Sequence, residues 1–175
     1  MKEPATLSSD HELLLDRCRQ KDSAAIQKLV SIYGESFYGF IRCLLGGNAN
    51  LIDPILTASF IDTLRSSAES NTDEPFRVIL LRAALKNAEK NLGQPREPLL
   101  GIDKRLSVLW ECLGDLSREE QVVLLLRDQM DCSLDEMQAI LSETEHPIRG
   151  RLQFARLHFR DLLQNKLNAK DPHSL

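Results

Sequence analysis

Between Leu116 and Leu163 the chain twice spells a helix start and then runs into an arginine-bearing helix, and few folds accommodate that order. Ser117 followed by Glu120 is a capping box: the serine oxygen and the glutamate carboxylate each satisfy a backbone N–H left open at a helix start. Behind it Val122, Val123, Leu125 and Leu126 supply an apolar face. Ser133 followed by Glu136 repeats the signature, with Leu134, Met137, Ile140 and Leu141 at helical spacing. Thr144 can cap a third helix, and Pro147 falls in its first turn, where a missing N–H costs nothing.

The third helix carries Arg149, Arg151, Arg156 and Arg160, with Ile148, Leu152, Ala155, Leu157 and Phe159 at most of its apolar positions. A short helix, a tight turn and an arginine-bearing helix make a helix-turn-helix, whose second helix can enter a DNA major groove. The same pattern also fits two amphipathic helices of an ordinary bundle with the arginines on a solvated face. The pattern alone leaves both readings open.

Upstream, the spacing predicts further helices. Ser9 and Glu12 form a capping box that would open the first, with Leu13, Leu14, Leu15 and Cys18 on its apolar side. Lys21-Asp22 breaks it, and Asp22 can cap a long helix with Ile26, Leu29, Val30, Tyr33, Phe37, Phe40, Ile41, Leu44 and Leu45 at helical spacing. Gly46-Gly47 ends that helix. A third is expected over Ile52 to Ser66, with Ile55, Leu56, Phe60 and Leu64 inward, then a polar loop to Asp73. Pro75 opens a fourth through about Asn91, with Phe76, Ile79, Leu80, Ala83, Ala84 and Ala88 inward. Gly93 to Gly101 has linker composition, and a helix near Leu106 to Leu113 carries Trp110. No strand-like alternation or repeat interrupts this series. The expected fold is all-α, with two small helical domains at 8–92 and 105–167 joined by a linker at 93–104.

The 175 residues can bury real cores, and no apolar run is long enough to span a bilayer. The opening MKEPATLSSD lacks the basic-then-apolar order of a signal peptide, so a cytoplasmic location is expected. Cys18, Cys43, Cys112 and Cys132 are scattered without paired spacing, as are the four histidines, so neither a disulfide framework nor a metal site is expected. Cys43 and Cys112 sit among apolar neighbours and read as core residues. No phosphate loop, nucleophile signature or isolated carboxylate pair points to an enzyme, and no cofactor is implied. Net charge is −4 at pH 7. Phosphate neutralisation dominates DNA affinity, so such a chain should meet DNA only as part of a larger assembly.

The stretch from Leu116 resembles region 4 of a sigma-70-type factor of the small extracytoplasmic-function group. Leu116, Glu120, the Val122 to Arg127 run, Leu134, Glu136, Ile140, Leu141, Ile148, Arg149, Arg151, Leu152, Ala155, Arg156 and Leu162 carry the resemblance. Leu13-Leu14, Lys21-Asp22, Leu29, Tyr33, Tyr38, Arg42, Leu44-Leu45 and Gly46 or Gly47 resemble the opening of region 2, and Phe76, Leu80, Arg82, Ala84 and Ala88 the helix that follows. The resemblance implies that region 2 docks on the clamp helices of the largest subunit of RNA polymerase and opens the downstream (minus-10) promoter element. Region 4 would read the upstream (minus-35) element, and an anti-sigma factor or a Ser/Thr kinase would restrain or license the protein. No membrane partner is implied.

The departures from the family pattern fall on its contact surfaces. Where the family has Asp-Ala-Glu-Asp, two apolar residues and Gln-Glu, this chain has Leu51, Ile52, Asp53, Pro54, then Ile55, Leu56, then Thr57, Ala58. Asp53 is the one surviving carboxylate, so Asp53, Ile55, Leu56 and Thr57 stand as the polymerase-binding candidates. Phosphate on Thr57, Thr63 or Ser59, with Ser59 disfavoured beside Phe60, would return negative charge to that helix and so license binding. In the next helix Ile79 takes an aromatic position and Leu85-Lys86 replaces Arg-Asn, leaving Lys86, Asn87 and Lys90 as weak candidates for the minus-10 element. In region 4 Ser142 replaces a turn glycine, Glu143 an apolar residue and Pro147 a threonine, and Glu145 repels phosphate. Thr144, His146, Arg149, Arg151, Gln153 and Arg156 remain as DNA-binding candidates, Arg156 for phosphate and His146 and Gln153 for bases. The implied function is promoter-selecting transcription initiation. The alternative is a sigma mimic that occupies an anti-sigma factor without promoter activity.

Overall fold

The computed structural model describes residues 5–69, 74–91, 97 and 103–170. Among these residues eight α-helices follow one another: α1 Ala5–Arg19, α2 Ser23–Leu44, α3 Ala49–Glu69, α4 Phe76–Ala88, α5 Lys104–Asp115, α6 Arg118–Leu124, α7 Leu134–Leu141 and α8 Glu145–Lys170. A 3-10 turn, Glu89–Asn91, extends α4, and a π-helical segment, Leu125–Gln129, extends α6. No strand occurs among the described residues, and α1–α4 and α5–α8 form the two helical domains of an all-α fold.

Local chemistry explains most boundaries. The Asp22 carboxylate accepts from the N–H groups of Ala24 and Ala25 and caps α2. A hydrogen bond from the Arg17 guanidinium, with those backbone donors, holds the Asp22 pKa below its usual range. Gly46 and Gly47 end α2 with φ of 63° and 87°, values open to glycine without strain. A Cβ on Gly47 would also lie 3.1 Å from the Trp110 ring. Helix α1 begins at Ala5, upstream of Ser9, so the Ser9 and Glu12 pair lies inside a helix rather than at its start. Helix α3 runs from Ala49 to Glu69, longer at both ends than the apolar spacing marks, with Pro54 inside it.

Helix α4 differs most from the one-faced helix that the apolar spacing predicts. Val78 and Leu81 are buried along with Phe76, Leu80, Ala84 and Ala88, so apolar contact surrounds most of the helix. A helix that is apolar on all sides is a helix packed on all sides. At 100° per residue Phe76, Leu80 and Asn87 share one side, and Asn87 there reaches the α3 residues Ser59 and Asp62. Val78, Leu81 and Leu85 lie on another arc, flanked by Arg77 and Arg82, which both reach the α7 end of the chain. The hydrophobic core is accordingly continuous from α1 to α8.

Cys112 is buried as its neighbours suggest and Cys43 is half-buried, while Cys18 and Cys132 are buried as well, and none of the four is in a disulfide. Burial pushes the Cys132 thiol up to about 11. Val30 and Leu157, both at apolar helical positions in the sequence, are 42% and 43% exposed.

Helix α7 ends on Ser142, whose φ of 55° and ψ of 37° are left-handed. A side chain there meets the backbone unfavourably, by roughly 1 kcal/mol relative to glycine. Ser142→Gly is expected to raise unfolding free energy by about 1 kcal/mol, seen as a higher urea midpoint at unchanged slope.

Candidate promoter and polymerase interfaces

The helix-turn-helix is built from its caps. Both boxes form: Ser117 N–H donates to Glu120 at 2.7 Å and Glu120 N–H to Ser117 Oγ at 3.3 Å. Ser133 N–H donates to Glu136 at 2.7 Å and Glu136 N–H to Ser133 Oγ at 3.1 Å. Between α6 and α7 the turn is closed by Met130 N–H on Leu125 O, Cys132 N–H on Leu126 O and the Arg127 guanidinium on Cys132 O. Helix α8 starts at Glu145, directly after Thr144, with Ile148, Leu152 and Ala155 buried beneath it. Glu120 is 5% exposed and also accepts from or shares a proton with His158 Nδ1 at 2.8 Å, which ties α8 to α6.

Thr144, His146, Arg149, Gln153 and Arg156 are exposed, and Arg151 is half-buried. Each arginine of this surface has a carboxylate of the same chain beside it. Arg149 pairs with Glu145, Arg151 with both oxygens of Glu143 at 2.9 and 3.2 Å, and Arg156 with Asp128. Arg160 adjoins Asp161 at 3.3 Å. Between Asp128 and Arg156 stand six carboxylates (Asp128, Asp131, Asp135, Glu136, Glu143, Glu145) against three arginines (Arg149, Arg151, Arg156). A phosphate therefore meets the field of an internal carboxylate at each of those three. Phe154, 63% exposed, and Leu157 add an apolar edge beside the charged residues, which charge patterning alone does not mark.

In the N-terminal domain the candidates separate. Asp53 and Thr57 are exposed one turn apart on α3, and Leu56 is half-buried. Ile55 is 6% exposed and belongs to the core, so it supports the surface without forming it. Ile61, 50% exposed one turn beyond Thr57, belongs to that outward face instead. Ser59 and Thr63 are fully buried, their hydroxyls donating to Ile55 O at 2.6 Å and Ser59 O at 2.7 Å. Neither presents an oxygen to a kinase in this fold, which corrects the placing of Thr63 beside Thr57 and leaves Thr57 alone. The Asn87 amide donates to Asp62 at 3.1 Å and to Ser59 at 3.3 Å, a structural role that removes it from the DNA-reading set. Lys86 is exposed and lines a cleft of about 400 Å³ between the domains, opposite Arg118, Leu141 and Arg151. The Lys90 side chain lies outside the described residues.

No family model and no curated protein matches this chain. Among solved structures it is similar to that of CnrH in complex with the cytosolic domain of CnrY, with a TM-score of 0.75 and 22% identity. The match covers 87% of this chain and 96% of that one. It extends over both domains, and this chain shares the all-α fold of that structure. Among the described residues no helix is long and apolar enough to cross a membrane.

Burial pushes the Glu120 pKa upward, but hydrogen bonds from His158 and Ser117 outweigh it, and the carboxyl titrates below its ordinary 4.5. A lowered carboxyl pKa gives stability that is full above the unfolded value and lost as pH falls through the folded one. Acid should therefore destabilise the wild type more steeply below pH 4.5 than it does Glu120→Gln, as measured by thermal melts across pH 3 to 6.

Proposed function

We propose that this chain is a sigma factor of the small two-domain type, which binds core RNA polymerase and directs initiation at a specific promoter. The observation that carries the reading is the chain-long likeness to CnrH, with a capped helix-turn-helix at the C-terminal end and a separate helical domain ahead of it. The protein would do no bond chemistry. Its N-terminal domain would dock through the outward face of α3, where Asp53, Thr57 and Ile61 lie, and α8 would deliver Thr144, His146, Arg149, Gln153 and Arg156 to the upstream element. CnrH is bound to the cytosolic domain of CnrY. By analogy an anti-sigma factor is the restraining partner proposed here, and phosphorylation of Thr57 is a further means of adding charge to the docking face.

One observation favours the sigma-mimic reading, in which the same surfaces occupy an anti-sigma factor without promoter activity. The carboxylates beside Arg149, Arg151 and Arg156 weaken the attraction to phosphate. A pull-down of purified core polymerase separates the two. Wild type and Thr57→Glu are compared: retention of either supports the sigma factor, retention of Thr57→Glu alone supports licensing by phosphorylation, and retention of neither favours the mimic.

The internal pairs make a second prediction. Glu143→Gln with Glu145→Gln should free Arg149 and Arg151 and steepen the salt dependence of promoter binding by the holoenzyme. About one to two further counterions should be released, read as the slope of log K against log salt concentration.

A further inference from the structure

Helix α8 turns an apolar line outward. At 100° per residue the buried Ile148, Leu152 and Ala155 mark its inner side. His146, Gly150, Gln153, Phe154 and Leu157 fall together on the opposite side, in a sector about 100° wide, and none of them is a lysine or an arginine. Phe154 and Leu157 are exposed there. Gly150, one turn before Phe154, has open space where a Cβ would stand, so the helix surface ahead of the ring is bare. The ring is also held. His158, one turn further on, meets it at 6.0 Å between centroids with a 49° tilt. His158 Nδ1 lies 2.8 Å from Glu120 of α6, itself fixed in a capping box. Arg149, Arg156 and Arg160 follow one edge of the sector and Arg151 the other, while Asp161 lies further along the line beside Arg160.

We infer that Phe154 is a specificity-determining residue of α8, which reads the C5-methyl group of a thymine in the upstream element, with His158 as its positioning residue. The inference rests on the sigma-factor reading and names a base contact that charge and hydrogen bonding do not supply. A line that is apolar in the middle and cationic at its edges matches a DNA major groove, where thymine methyl groups lie on the floor and phosphates on the rims. Arginine reads guanine there through two hydrogen bonds, whereas a phenyl ring offers apolar contact, and thymine is the base that presents a methyl. Gln153, next to Phe154 in the chain and in the same sector, suits adenine. The two together favour A·T pairs at neighbouring positions.

Enrichment of a randomised duplex library by the full chain tests this, at low salt where phosphate attraction is strongest. The enriched site should hold a thymine whose replacement by deoxyuridine, which removes only the methyl, weakens wild-type binding about fourfold. Phe154→Ala should bind the thymine and deoxyuridine sites equally, with wild-type helix content by circular dichroism, since the ring is exposed. His158→Ala should bring the ratio of the two affinities toward one, a ratio that a loss of stability alone leaves unchanged. An unchanged ratio in His158→Ala overturns its positioning role. A site indifferent to deoxyuridine at every thymine, or a Phe154→Ala protein that keeps the full ratio, overturns the readout and leaves the apolar line to a protein partner, while the promoter function stands. No enriched site, with the chain alone or with core polymerase, overturns both.

Discussion

Helix α4 has almost no solvent side, and the arrangement of the molecule follows from that. One side lies on α3, where Asn87 holds Ser59 and Asp62, and another presents Val78 and Leu81 between the two arginines that hold α7. Parting the domains would hydrate those side chains, at a cost on the order of 1.5–3 kcal/mol for each one fully uncovered.

The carboxylates of the C-terminal domain have two uses. Glu120 and Glu136 close capping boxes, and Glu120 also receives His158. Glu143, Glu145 and Asp128 instead sit against Arg151, Arg149 and Arg156. Exposed pairs of this kind add less than about 1 kcal/mol to stability, so their main effect is on the field above the helix. A surface arranged in this way binds phosphate weakly by itself and gains most from being held near DNA by a second contact.

Local signals were legible in the sequence. Ser117, Ser133 and Asp22 cap the helices that they appear to cap, because a cap needs only residues three or four places away. The glycine pair after α2 likewise takes the left-handed conformations that its position demands. Ser9 misled because residues upstream of it continue the helix, which a four-residue pattern cannot register. What the sequence hid depends on distant partners. Val78 and Leu81 fall outside the one-faced pattern of α4 yet are buried, between arginines that reach α7. Ser59 and Thr63 offered hydroxyls on paper, but inward-facing positions turned them onto the preceding carbonyls. The pairing of Arg156 with Asp128 spans 28 residues and follows from no spacing rule.

Trp110 is the only tryptophan, and it stands where the two domains meet the connecting segment. Its ring packs on Gly47 of the N-terminal domain, and its N–H is held by the Glu97 carbonyl. Indole emission responds to how water reaches the ring and to the hydrogen bond at its nitrogen. The chain thus contains its own optical gauge of the contact between Gly47 and the indole, readable in a cuvette without any label.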